Sequence, residues 1–253
     1  MTALLMDVGN SRIKWGVLDG GAVRRTGHIA QSKIRDEGLG ALTSKLPRRV
    51  DTALVSNVAG PGFATRLSGV VGMHCGVEVH FARSERQACG IVNGYRQPRR
   101  LGVDRWVAMI GAWNEIQDAV VVVDAGTALT IDAIDSTGRH CGGQIMPGVG
   151  LMAASLADET SDIPLIQKRP SSPARDMSMF GGSTTAAVAH GTLNAVAGAV
   201  ERAADVLQEY GEAPAVILTG GDASRILKSL GCEAIHRPHL VLQGLARILE
   251  DHQ

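Results

Sequence analysis

Two stretches of this 253-residue chain end an apolar run on aspartate followed by glycine: Asp7–Ser11 (DVGNS) and Asp124–Thr127 (DAGT). A carboxylate, a glycine and hydroxyl or amide side chains at a strand end make a grip for phosphate. Backbone N–H groups and side-chain donors bind the phosphate oxygens, and the carboxylate holds a hydrated cation. Glycine removes the Cβ that would keep a phosphate at a distance. The other common cradle, the GxxxxGK[ST] loop, does not occur in the chain. In the first turn, Asp7 is expected near a phosphate-bound Mg²⁺. Gly9 leaves room for the phosphate, and Asn10, Ser11 and Lys14 lie close enough to reach its oxygens. Thr127 is expected to do the same from the second turn.

Two further stretches carry chemistry. AVILTGGDAS, Ala215–Ser224, runs an apolar strand into paired glycines and then a helix start, a junction that lets a flat ligand or a phosphate approach the backbone. GYRQPRRLGVDR, Gly94–Arg105, holds what phosphoryl transfer to an alcohol needs: Asp104 as acceptor of the hydroxyl proton and Arg105 as a cation beside it. Asp104 also reads simply as an acid favoured at a helix start. Arg96, Arg99 and Arg100 fit a solvated loop better than a binding site.

The elements that must position these residues follow from the patterning. Ala3–Val8 and Ile13–Leu18 read as a hairpin, Asp51–Val58 and Gly76–Phe81 as strands, and Asp104–Ile116 as an amphipathic helix. Ala119–Val123, with four valines, suits a central strand, and Leu129–Ile134 follows it. MDVGNSRIKWGVLDG and VDAGTALTIDAIDSTG share one plan almost half the chain apart, which predicts a duplication with domains at residues 1–117 and 118–253. Helices are expected over Ser183–Tyr210 and Leu240–Leu249. Asp158–Met177, with three prolines, reads as a long exposed loop.

Composition narrows the function classes. The formal net charge is zero and the pI is about 7.1, so neither nucleic acid nor an anionic membrane is an expected partner. Aromatics at 3% argue against a stacking platform for single strands. No stretch approaches a membrane span, and the first ten residues do not read as a signal. Cys75, Cys89, Cys141 and Cys232 form no CxxC pair and read as reduced thiols of a cytoplasmic protein. His236 and His239 make no metal pattern.

DVGNSRIK, GYRQPRRLGVDR, VDAGTALTID, GGQIMPGVGLM and FGGSTTAAVAHG, in this order, resemble the type III pantothenate kinases, members of the sugar kinase, chaperone and actin superfamily. The likeness runs from Asp7 to at least Gly191, and AVILTGGDAS resembles the superfamily's adenosine turn. It implies an α/β fold of duplicated actin-like (ribonuclease H-like) domains, each a mixed five-stranded sheet flanked by helices, with a cleft between them. It implies phosphorylation of pantothenate by ATP with Mg²⁺ and a monovalent cation, K⁺ or NH₄⁺, in a homodimer with the site at its interface. Asp7–Lys14 becomes the first ATP loop and Thr127 an ATP contact. Tyr95, Gly102, Val103, Asp104, Arg105 and Thr184 become pantothenate contacts, with Asp104 as base, and Asp124 becomes the holder of the monovalent cation. The Gly181-Gly182 pair lies on variable ground. Three alternatives stand beside this reading. A kinase for another small alcohol shares the fold. An accessory regulator of gene expression would carry vestigial catalysis, against which Asp7, Asp104 and Asp124 all speak. An actin-like or chaperone-like ATPase would need a considerably longer chain.

Overall fold

A computed structural model describes residues 1–164, 166 and 179–251. It divides into two compact units, each built around one five-stranded sheet. Unit 1 comprises Met1–Gln117, Gly138–His140 and His239–Gln253; unit 2 comprises Asp118–Thr137 and Cys141–Pro238.

In unit 1 the chain forms β1 (Thr2–Val8), β2 (Arg12–Asp19), β3 (Ala22–Ala30), α1 (Gln31–Glu37), α2 (Gly40–Thr43), β4 (Thr52–Asn57), α3 (Pro61–Cys75) and β5 (Val79–Phe81). A small antiparallel hairpin, β6 (Gln87–Ala88) and β7 (Ile91–Val92), precedes α4 (Val103–Ile116). The strand order is β3-β2-β1-β4-β5. The first three strands are antiparallel, and β4 and β5 join in parallel through crossovers. Leu4, Met6, Ile13, Val55, Leu67 and Val71 are among the residues of its core. The apolar faces of β1 and β4 are buried on both sides, as their uninterrupted hydrophobic runs require.

Unit 2 repeats the plan with β8 (Val120–Ala125), β9 (Ala128–Ile134), β10 (beginning at His140 and ending at Pro147), α5 (Val149–Glu159), α6 (Thr184–Glu209), β11 (Ala215–Thr219), α7 (Ala223–Ile226) and β12 (Ile235–His236). Its strand order, β10-β9-β8-β11-β12, is that of unit 1. Again a hairpin, β8–β9, is continued in parallel by β11 and β12. The duplication read from the two Asp-x-Gly segments is therefore a duplication of the whole sheet.

The last helix, α8 (Leu240–Asp251), packs on α4 and on the first sheet, although it follows the second sheet in the chain. Two glycines make this possible. A Cβ on Gly111 of α4 would lie 2.6 Å from the Leu240 carbonyl oxygen, and one on Gly244 of α8 would overlap the Val107 carbonyl. The helices thus cross backbone to backbone, and the buried face of α8, including Leu240, Leu242 and Leu245, closes the first sheet. A cut at residue 117 leaves that helix on the other side of the chain from the sheet it covers. The expected loop Asp158–Met177 begins inside α5, and most of the rest of it lies outside the described residues. Arg96, Arg99 and Arg100 are exposed.

Replacing Gly244 by alanine forces the helices apart. The expected cost is about 2 kcal/mol or more, and thermal melting should show a fall of roughly 4–8 °C. An unchanged melting temperature would mean that the α4–α8 crossing does not constrain unit 1.

Candidate active site

The first Asp-x-Gly turn joins β1 to β2. Asp7 is in register with Lys14 on β2 and with Ser56 on β4, and is half-buried. The turn closes on itself through Gly9 N–H, which donates to the Arg12 carbonyl at 3.0 Å. Buried Gln31, at the start of α1, then fixes it from behind. Its backbone N–H donates to the Ser11 carbonyl at 2.9 Å, and its Nε2 donates to the Gly9 carbonyl at 2.9 Å. With those carbonyls held inward, Asn10 and Ser11 present exposed side chains.

The second turn, between β8 and β9, is one residue shorter. Gly126 N–H donates to the Ala128 carbonyl at 3.1 Å. Gly148, which caps α5, donates its N–H to the Thr127 carbonyl at 2.8 Å, while Asp222 N–H donates to the Ala125 carbonyl at 3.0 Å. Two glycines beside this turn have no room for a side chain. A Cβ on Gly148 would lie 2.7 Å from the Thr127 oxygen, and one on Gly220 would lie 2.5 Å from Asp124 Oδ1. Thr127 is exposed and Asp124 half-buried. Thr184 opens α6 and is exposed, with Ser183 Oγ accepting from Ala186 N–H. Gly181 has no room for a side chain against the Ala186–Ala187 backbone.

The remaining predicted residues gather at the start of α4. Asp104 lies in the first turn, and its Oδ1 accepts from Arg105 N–H at 2.8 Å. Gly102 is required beside it, because a Cβ there would sit 2.8 Å from that carboxylate oxygen. Arg105 is buried. It donates to Tyr95 Oη at 3.0 Å and lies 5.7 Å from the centre of the tyrosine ring. The other face of this arrangement is His140, stacked on Tyr95 with centroids 5.8 Å apart and the rings 17° from parallel. The loop bearing Tyr95 is organised by buried Asn93. Its Nδ2 donates to the Glu85 and Pro98 carbonyls, and its Oδ1 accepts from Tyr95 N–H. Val103 begins the helix.

The family model for type III pantothenate kinases matches residues 3–206. The chain belongs to the type III pantothenate kinase family. It is 35% identical to a type III pantothenate kinase of Nitrosococcus oceani, over 98% of this chain and 94% of that one. It is 41% identical to one of Methylobacillus flagellatus, over 96% and 95%. A solved structure from Campylobacter jejuni, described as a Baf family transcriptional activator, superposes with a TM-score of 0.59 at 22% identity, covering 98% of each chain. At that identity the likeness is one of fold.

Among the described residues, no group of three or more His, Cys, Asp or Glu could hold a metal ion. A divalent ion that arrives on a nucleotide is ligated mainly by phosphate oxygens and water, the usual habit of Mg²⁺. At Asp124 the bare Gly220 lets the strand end approach closely, since a Cβ there would lie 2.5 Å from both Oδ1 and the Ala125 carbonyl oxygen. A cleft of about 720 Å³ opens along α1 and α3, lined by Ile34, Leu39, Phe63, Val70 and Met73, and Asn10 is the one predicted residue on its wall. It is too apolar, and holds too few of the predicted groups, to be the phosphate site. Burial, then the Asp251 carboxylate, pushes the Cys89 thiol up to about 11, so it is protonated and no nucleophile.

Gln31, Asn93 and His140 in unit 1 and Gly148 in unit 2 support these residues, and no motif assigned them a role. One was accessible in principle: Gly148 lies in the MPGVG run, where a glycine signals close approach. Gln31 and Asn93 carry no such signal, since buried amides are recognised only by their partners.

His239, just before α8, has its pKa lowered by burial and then by the charge of Lys14. Between that value and the unfolded value of about 6.5, the unfolded chain takes up a proton that the folded chain refuses, so stability falls as pH drops through this window. Melting from about pH 8 to about pH 5.5 should show a decline that His239→Gln lessens. Parallel curves for the two proteins would remove His239 as the cause.

Proposed function

We propose that this chain phosphorylates pantothenate with ATP to give 4′-phosphopantothenate, the first step of coenzyme A synthesis. The observation that carries this reading is the Asp104–Arg105–Tyr95 cluster at the start of α4, in a chain of the type III pantothenate kinase family. Pantothenate offers a primary alcohol at one end and a carboxylate at the other. Asp104 takes the alcohol proton as its oxygen attacks the γ-phosphorus. The bond from γ-phosphorus to the bridging oxygen breaks, and ADP leaves with the electron pair. Arg105, braced by Tyr95, supplies fixed positive charge for the substrate carboxylate.

The two turns share the nucleotide work. Gly9, Asn10, Ser11 and Lys14 receive the phosphates, Asp7 would serve the phosphate-bound Mg²⁺, and Thr127 adds a contact from the second turn. Mg²⁺, when bound, offsets charge on the β- and γ-phosphates. Asp124 would hold K⁺ or NH₄⁺, which would supply positive charge where a P-loop lysine is absent. Tyr95, Gly102, Val103, Asp104, Arg105 and Thr184 line the pantothenate site.

The active form is a homodimer. Unit 2 exposes Ile145, Leu151, Leu156, Met179 and Phe180, more large apolar side chains than a solvated face ordinarily carries. The chain works in the cytoplasm and uses no nucleic acid or membrane. Among the described residues no helix is long and apolar enough to cross a membrane.

A coupled ADP-release assay with pantothenate and other small alcohols tests the substrate. Turnover with another alcohol but not with pantothenate would overturn the reading. Asp104→Asn should lower kcat by about 10²-fold or more while leaving ATP affinity close to wild type by calorimetry. Near-normal turnover in that variant would remove Asp104 as base. Exchanging K⁺ for Na⁺ should depress kcat, and equal rates in both salts would count against a monovalent cation at Asp124.

A further inference from the structure

Two buried hydroxyls remain without work. Ser56 is 0% exposed and Thr219 is 1% exposed, and neither Ser56 Oγ nor Thr219 Oγ1 has a hydrogen-bond partner. Burying a hydroxyl unpaired is destabilising, a cost that valine or alanine in the same strand would avoid. The position before each hydroxyl is aliphatic, Val55 on β4 and Leu218 on β11.

Their placement is the same in both halves. Ser56 is in register with Asp7 across the parallel pair β1–β4, and Thr219 is in register with Asp124 across the parallel pair β8–β11. In-register residues of neighbouring strands project to one face about 4.8 Å apart, so each hydroxyl stands beside its aspartate. The burial pattern repeats as well, a half-buried carboxylate next to a fully buried hydroxyl. In unit 2 the carboxylate also leans toward the hydroxyl's strand, as the 2.5 Å approach of a Gly220 Cβ to Asp124 Oδ1 records. One coincidence is a packing accident. The same unpaired hydroxyl at the same row of a duplicated sheet calls for a ligand in both.

We propose that Ser56 and Thr219 are positioning residues, each completing a cation half-site with its aspartate. The carboxylate supplies charge, and the hydroxyl offers a lone pair to the ion or its water and a proton to the carboxylate. Asp124–Thr219 takes the monovalent cation. Asp7–Ser56 takes the water shell of the divalent ion that arrives with the nucleotide. This rests on the kinase reading for the identity of the ions, but cation binding is measurable without turnover.

Thr219→Val preserves shape and removes only the hydroxyl, and Thr219→Ser restores it. Melting of the nucleotide-free protein in K⁺ against N-methylglucamine should show a K⁺-dependent rise in wild type and Thr219→Ser. Thr219→Val should lack it while melting at or above wild type without K⁺. In the kinase assay, Thr219→Val should raise the half-saturating K⁺ by about tenfold or more, and Ser56→Ala should do the same for free Mg²⁺. A normal K⁺ response in Thr219→Val, or no K⁺-dependent rise in wild type, overturns the monovalent half-site. An unchanged Mg²⁺ requirement in Ser56→Ala overturns the divalent one. Failure of wild type to use pantothenate would overturn the substrate reading alone, because the melting shift would still report the cation.

Discussion

The close approach of backbone to backbone at a strand end is the constraint on which the rest depends. A phosphate grip needs a carboxylate and unobstructed backbone within a few ångströms of each other. The chain meets that need by removing side chains. Gly148 rests on the Thr127 carbonyl, Gly220 clears Asp124 Oδ1, and Gly102 clears Asp104 Oδ1. At two of these places a Cβ would crowd a carboxylate oxygen, and at the third a backbone carbonyl oxygen. The abundance of glycine, 31 residues, is thus partly a requirement of charge placement.

Packing supplies the rigidity that those bare turns lack. Gln31 holds two carbonyls of the first turn, and Gly148 and Asp222 hold two of the second. Asn93 gathers the loop that carries Tyr95, and the tyrosine in turn braces Arg105. The helix bearing Asp104 is itself clamped by α8 through Gly111 and Gly244. Asp104 is therefore positioned by α8 as much as by its own neighbourhood. Buried amides and helix contacts of this kind cost little flexibility in use, since they are fixed before any ligand arrives.

The duplication runs deeper than its signature. DVGNS and DAGT mark it, but the two sheets share strand order, parallel crossovers and the row where Ser56 and Thr219 flank their aspartates. The copies have also diverged: the first turn is one residue longer, and α8 covers the first sheet. One half carries the Asp104–Arg105–Tyr95 cluster, while the other presents exposed apolar residues on and near α5.

The sequence by itself determined what is local. Strand ends at Asp7 and Asp124, the helix beginning beside Asp104, the repeat, and the family resemblance all follow from short runs whose periodicity and residue types report their own conformation. Only the tertiary structure decided what depends on distant partners. The role of Gln31 is invisible until Gly9 and Ser11 lie beside it, and that of Asn93 until Glu85 and Pro98 do. The membership of α8 follows from two glycines more than a hundred residues apart in sequence. Ser56 and Thr219 read as ordinary strand residues until β4 and β11 set them in register with the carboxylates. An apolar run specifies that a strand is buried, but register, the product of whole-sheet assembly, specifies what lies next to it.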